Sequence, residues 1–244
     1  MPRFTHVLAL PSVLMLAACA SARMDIPAEL AGVEAMPVEG RGGWRAAQRA
    51  AFGPWEATDV DRSWTKGSGW RVGVGPLGGG SDRAAQEYVF RFLEEGVEQG
   101  RIRCAAAGSR ATGVSAVVDV DFAAREALEC RPDAPAPTDA AAGPGTGEPE
   151  WDLVLEASRD RRLEGFLRIG EDRYAVASTG PGGRIVPVTA YGFEIREGER
   201  VVAVVETVNR GSVRLAPELT GRRRAIFAAA AAGLLLYERV GADG

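Results

Sequence analysis

Ala225-Ile226-Phe227-Ala228-Ala229-Ala230-Ala231-Ala232-Gly233-Leu234-Leu235-Leu236 is the stretch that decides the fold. The alanine run has high helix propensity. Thr220 stands where it can cap the start, and Tyr237-Glu238-Arg239 follow the end. A helix that is apolar all round must be buried on all sides. At 1.5 Å per residue the run is about 18 Å long, too short for a bilayer core of about 30 Å. Arg222-Arg223-Arg224, just before it, read as the solvated mouth of the helix rather than as a phosphate site. The rest of the chain must therefore supply a shell.

That shell reads as β. Tyr88, Phe90 and Phe92 alternate with Val89 and Arg91, and Tyr191, Phe193 and Ile195 alternate with Gly192 and Glu194. Period-2 alternation puts the large residues on one face of a strand. Glu95-Gly96 and Glu197-Gly198 then mark hairpin turns into Arg101–Ala105 and Val201–Val208. The like spacing of the two aromatic triplets is a weak internal repeat of two β-meanders, although any two hairpins look alike at this level. Further strands are expected at Trp55–Asp61, Trp70–Val74, Val114–Phe122, Leu153–Ala157, Leu163–Ile169, Tyr174–Ser178, Ile185–Thr189 and Ser212–Leu215, with a tight turn at Asn209-Arg210-Gly211. The expected fold is mainly β: a closed or nearly closed antiparallel barrel of two meander halves with one buried C-terminal α-helix. Residues 132–149, from Pro132 to Pro149, are nearly all Pro, Gly, Ala, Thr and acids and read as a disordered loop. The loop joins two halves, 44–131 and 150–244, of a single β-rich domain spanning 44–244. A β-chain in two halves that ends in a buried helix resembles the tubby-like fold, shared by the LURP-one proteins and the phospholipid scramblases. The resemblance rests on strand order and on Ala225–Leu236, and it implies a barrel threaded by the helix and a lipid-handling role.

The N-terminus carries a more specific signal. Met1-Pro2-Arg3 is a short positive region, and Val7 to Ala18 is apolar apart from Pro11 and Ser12. The run is too short to span and has the shape of a signal sequence. Its end, Leu16-Ala17-Ala18-Cys19, resembles the lipobox of bacterial lipoproteins. The resemblance implies cleavage after residue 18, a diacylglycerol on the Cys19 sulfur and acylation of the new amine. Ala20 follows the cysteine, where an Asp would imply retention in the inner membrane. The implied location is the outer membrane of a Gram-negative bacterium, facing the periplasm, with the membrane as partner through the lipid anchor. Residues 19–43 are small, polar and without period, and read as a flexible tether on which the body stands off the membrane.

Composition limits the rest. The 244 residues are 46% hydrophobic and 25% charged, which allows a real core. The net charge of −4 argues against a nucleic-acid partner, which would need a basic face. The one histidine, His6, lies in the signal segment. A mature chain without histidine excludes Ser-His-Asp and Cys-His mechanisms and zinc bound through imidazole. No residue pattern calls for a cofactor or a metal. In an oxidising compartment the other two cysteines, Cys104 and Cys130, are expected to form a disulfide worth about 3 kcal/mol.

Ser63-Trp64-Thr65-Lys66 matches S-x-x-K, but Gly67-Ser68-Gly69 breaks the helix that motif needs. Lys66 is the only lysine, so no K-T-G can accompany it. Gly73 to Gly78 matches G-x-G-x-x-G but lacks a following helix and reads as a β-connection. Trp44, Trp55, Trp64 and Trp70 read as core more than as a binding cluster. Asp59-Val60-Asp61 and Asp119-Val120-Asp121 each place two carboxylates on one strand face. Convergence of Asp59, Asp61, Asp119 and Asp121 in one pocket would make a Ca²⁺ or glycoside-hydrolysis site, and a solvated strand face is the plainer alternative. Three functions follow: a non-catalytic binding or accessory module with an envelope protein partner, a carboxylate-based hydrolase of cell-wall or polysaccharide substrates, and a lipid-handling module.

Overall fold

A computed structural model describes residues 24–41, 48–63, 66–74, 77–115, 119–133, 150–157, 162–180 and 192–237. The signal segment 1–18, Cys19, Trp44, Trp64, the strand expected at 185–189 and Tyr191 lie outside them. The strands are β1 Met36–Pro37, β2 Ala50–Phe52, β3 Trp55–Arg62, β4 Lys66–Val74, β5 Leu77–Glu94, β6 Val97–Ser115, β7 Asp119–Pro132, β8 Trp151–Ala157, β9 Leu163–Ile169, β10 Asp172–Thr179, β11 Gly192–Glu197, β12 Arg200–Glu206 and β13 Ser212–Leu215. They are followed by α1, Gly221–Leu236.

All thirteen strands belong to one antiparallel sheet, in which β13 to β5 follow sequence order, β3 and β4 both lie along β5, and β1 and β2 are the two edges. The edges are drawn together where Glu39 and Ala51 exchange two backbone hydrogen bonds of 2.9 and 3.0 Å. The result is a nearly closed barrel of meanders. Its inner wall can be followed across directly paired residues. Tyr88, Cys104, Cys130, Leu153, Leu167 and Tyr174 are successive partners, and Val176, Ile195, Ala203 and Leu215 continue one row along. None of the ten is more than 1% exposed. Phe90, Phe92, Phe193 and Trp151 add bulk to the same core.

The helix fills this wall. Every residue from Ile226 to Leu236 is buried, as the all-apolar pattern requires. Among the described residues no helix is long and apolar enough to cross a membrane. Two details differ from expectation. The helix starts four residues earlier, at Gly221, so the three arginines form its first turn. Thr220 has the extended backbone of a cap, yet its side chain makes no capping hydrogen bond.

Three sequence expectations are corrected. The tether expected over 19–43 is part of the body from Met24 onward. Met24, Leu30 and Val38 are buried, a 3-10 turn forms at Ala28–Leu30, and β1 pairs with β13. This strap closes the barrel. Its apolar anchors are single residues in a polar stretch, so no periodicity marks them. The strand expected at Val114–Phe122 is two strands, the end of β6 and the start of β7. No Gly, Pro or Asn separates Ser115 from Asp119, so the alternation reads straight through the reversal. The loop expected from Pro132 opens later, because Pro132 pairs with Ile102 and Asp133 N–H donates to the Arg101 carbonyl at 2.8 Å. Residues 134–149 lie outside the described residues.

Candidate binding surface

Among the described residues the helix occupies the barrel interior, where it is fastened at both ends and in the middle. The Tyr88 hydroxyl donates to the Gly233 carbonyl at 2.8 Å, a fully buried contact. Cys104 and Cys130 face each other across β6 and β7 with their sulfurs at 2.07 Å, a disulfide. The disulfide lies against Gly233. A Cβ there would sit 3.0 Å from the Cys130 sulfur and 3.2 Å from the Cys104 sulfur. At the helix C-terminus Arg62 donates to the Leu236 carbonyl at 2.7 Å, placing a cation where the helix dipole is negative.

At the other mouth the arginine triplet is committed to the protein itself. Arg222 binds the Glu150 carboxylate through two nitrogens, and Arg223 reaches Asp172 at 2.8 Å. Arg224 donates to the Ala216 and Leu219 carbonyls and lies 5.4 Å from the Trp55 ring centre. The hydrogen bond from Arg222 holds the Glu150 carboxyl below its ordinary range. Cations in a first helical turn oppose the dipole, and these carboxylates offset them.

The exposed feature that sequence reasoning missed is a ribbon. Strands β5, β6 and β7 are 18, 19 and 14 residues long, whereas β8 to β13 have 4 to 8. The last β7 residue paired with β8 is Ala127, which meets Glu156. Beyond it, among the described residues, β4, β5, β6 and β7 pair only with one another, as far as Val74–Leu77 and Val114–Asp119. The signal available in sequence was the glycine-rich run 67–80 and the small-residue run 105–111, which look like linkers when judged by composition alone. At the root of the ribbon, Lys66, Ala85, Ala107, Ala127 and Glu156 are successive cross-strand partners. They floor an open trough of about 430 Å³ on the outer face, with Glu87 and Glu129 along one side. Under the ribbon's inner face the Tyr237 hydroxyl binds the Glu126 carboxylate.

Strand register sets the two aspartate pairs far apart. Asp59 is exposed, sits in a β-bulge at φ 50° and pairs with Arg91 at 2.8 Å. Asp61 is also exposed, with Val60 buried between them. Asp61 lies opposite Val89 of β5, whereas Asp121 is placed opposite Gly80 through Thr112. Nine residues of strand, about 30 Å at roughly 3.3 Å each, separate the pairs. Ser63 accepts a hydrogen bond from the Glu87 N–H at 2.8 Å in a strand connection, not at a helix start. Gly73 and Gly78 are paired residues of the β4–β5 hairpin. Trp55 and Trp151 are core. Among the described residues no three His, Cys, Asp or Glu side chains gather as metal ligands. No protein-family model, curated protein or solved structure matches this chain.

Proposed function

We propose that the chain is an outer-membrane lipoprotein, anchored through Cys19 and facing the periplasm, whose barrel serves as a non-catalytic binding or accessory module. The observation that carries this reading is the ribbon. Four strands run on past the core that stabilises them, and among the described residues they pair beyond Ala127 only with one another. A sheet extended beyond its own core adds surface rather than stability, and surface held by a rigid scaffold is where contacts are made. The helix-filled barrel supports the same view, since a ligand must then be met on the outside. An envelope protein partner would find its footing on the ribbon root at Ala85, Ala107 and Ala127.

Two experiments test this. Labelled fatty acid should enter the wild-type chain and not Cys19→Ser. Photo-crosslinking residues placed at Ala107 and at Val97, on opposite ends of β6, should give adducts in intact envelopes at Ala107 alone. Adducts confined to Val97 would overturn the assignment of the surface. A lipid-handling role of tubby-like type is the second reading, favoured by the helix-threaded barrel itself. The hydrolase reading is not carried forward, because the carboxylate pairs lie about 30 Å apart by register.

A further inference from the structure

We propose that the outer edge of β4 takes an extended acidic segment of a partner protein as an added strand. The inference rests on the binding-module reading and names how the partner is held. It stands on backbone register. Ser63 N–H donates to the Glu87 carbonyl at 2.7 Å, and Glu87 N–H donates to the Ser63 hydroxyl at 2.8 Å. Glu87 therefore turns its backbone groups toward the β4 side of β5. That direction alternates along a strand. The pairing of β5 with β6 is unbroken from Leu77 to Phe92, so Ala85, Arg83, Ser81, Gly79 and Leu77 turn the same way as Glu87. Their partners on β4 are Lys66, Ser68, Trp70, Val72 and Val74. Gly67, Gly69, Arg71 and Gly73 are left with N–H and C=O groups directed away from β5.

Three of these four are glycines. Glycine weakens a strand, and in an edge strand it suits the close approach of another backbone. An unpaired row of N–H and C=O groups is a template for a further strand. Elsewhere the sheet blunts such rows. Strand β1 has two residues, one of them Pro37, and β2 has three. Beyond the residues paired with β2, β3 is bulged at Asp59. Beyond Ala127, β7 skips Phe122 in its pairing with β6. Bulges and proline are the usual protection of an edge. Strand β4 has neither: its nine residues hold no proline, and its register with β5 is unbroken. Among the described residues nothing pairs with its outer side.

Charge selects the occupant. Strand β4 carries Lys66 and Arg71 and no acid. Lys66 is exposed, and among the described residues no carboxylate pairs with it. The β4 of a second copy would set basic strand against basic strand, and its β7 would meet the ladder with a bulge. Acids opposite Lys66 and Arg71 are attracted instead. Lys66 also ends the row of Ala85, Ala107 and Ala127, so a partner strand on this edge lies beside the trough.

The test follows amide hydrogen exchange by NMR in the full-length protein. In the free protein Gly67, Gly69, Arg71 and Gly73 should exchange faster than Ser68, Trp70, Val72 and Val74, whose N–H groups lie in the β5 ladder. The probe is a Thr/Val peptide matching the nine residues of β4 in length, with glutamates placed opposite Lys66 and Arg71. It should slow the outward amides about tenfold. The same peptide with lysines for glutamates should bind about tenfold more weakly. A version N-methylated along its pairing side should not bind, because it lacks the donors. Gly69→Pro removes one outward donor, leaves the β5 ladder whole, and should also lose the response. Outward amides that already exchange slowly in the free protein mean a covered edge and overturn the proposal. So do unchanged exchange with the acidic peptide, equal responses to the acidic and basic peptides, and a response kept by the N-methylated peptide or by Gly69→Pro. Slowing that grows with protein concentration alone means a second copy and overturns it too. In each of these cases adducts at Ala107 in intact envelopes would leave the binding module standing, and their absence would remove it as well.

Discussion

Strands β5, β6 and β7 are each two things along their length. Toward the core they carry Tyr88, Phe90 and Phe92, Ile102 and Cys104, Leu128 and Cys130, all buried against the helix. In the ribbon the same backbone ladders continue through Gly, Ala, Ser and alternating charge. Hydrogen bonding alone extends a hairpin once a core has set its register. Side-chain volume decides where the barrel stops. The core end is legible as pattern, and the ribbon end is legible only as continuation.

The sharpest way to break this comparison is a charge on each side of it. Leu235→Asp puts an unpaired carboxylate where Leu235 is 1% exposed. The cost is several kcal/mol, as large as the whole stability of a domain, so the barrel should not fold. Ala107→Asp on the ribbon root should shift the melting transition by no more than about 0.5 kcal/mol. Circular dichroism melts of both variants read this directly. Equal destabilisation would mean that the ribbon is packed as the barrel is.

Within the barrel, Gly233 and the disulfide are the next comparison. Gly233→Val should cost about 1–3 kcal/mol or more, since its first carbon already meets both sulfurs closely. Cys104→Ala with Cys130→Ala should lose about 3 kcal/mol for the 26-residue separation. The two effects should not add, because removing the sulfurs opens the space that the valine needs. A double-mutant cycle in urea measures that coupling. Strict additivity would place the helix away from the disulfide.

The burial of Ile226–Leu236, the inward aromatic triplet and the cysteine pair were legible because each is a local signal with one physical solution. An all-apolar helix must be enclosed, period-2 aromatics must share one face, and two cysteines placed opposite each other on neighbouring strands can pair. The strap at Met24–Val38 was not legible. It closes the barrel through isolated apolar side chains and through backbone bonds to β13, Gly211 and Ala51, none of which leaves a period. The ribbon was hidden for the opposite reason. Its glycines and alanines satisfy the sheet through backbone alone, so composition mimics a linker. The placement of the aspartate pairs was not legible, because sequence gives spacing within a strand but not register between strands. That register puts Asp61 and Asp121 far apart on either side of the β5 midpoint.

The smallest effect separates the two mouths. Glu150 accepts from Arg222, and its folded pKa lies below the ordinary value. The unfolded chain therefore binds the proton more readily, and stability falls as pH falls. The contribution is whole above the unfolded carboxylate value of about 4.3 and is lost as pH drops through the lower folded value. Both side chains are largely in solvent, Arg222 at 77% and Glu150 at 43%, so the effect is modest and shrinks with salt. Arg222→Ala should return the Glu150 carboxyl toward its ordinary titration, read from its side-chain carbon by NMR, and should flatten the acid limb of the stability curve. Lys66→Ala, at the ribbon root, should leave both unchanged. An unmoved Glu150 titration in Arg222→Ala would show that the far mouth is not closed by this pair, and that its arginines are as free as the ribbon's surface.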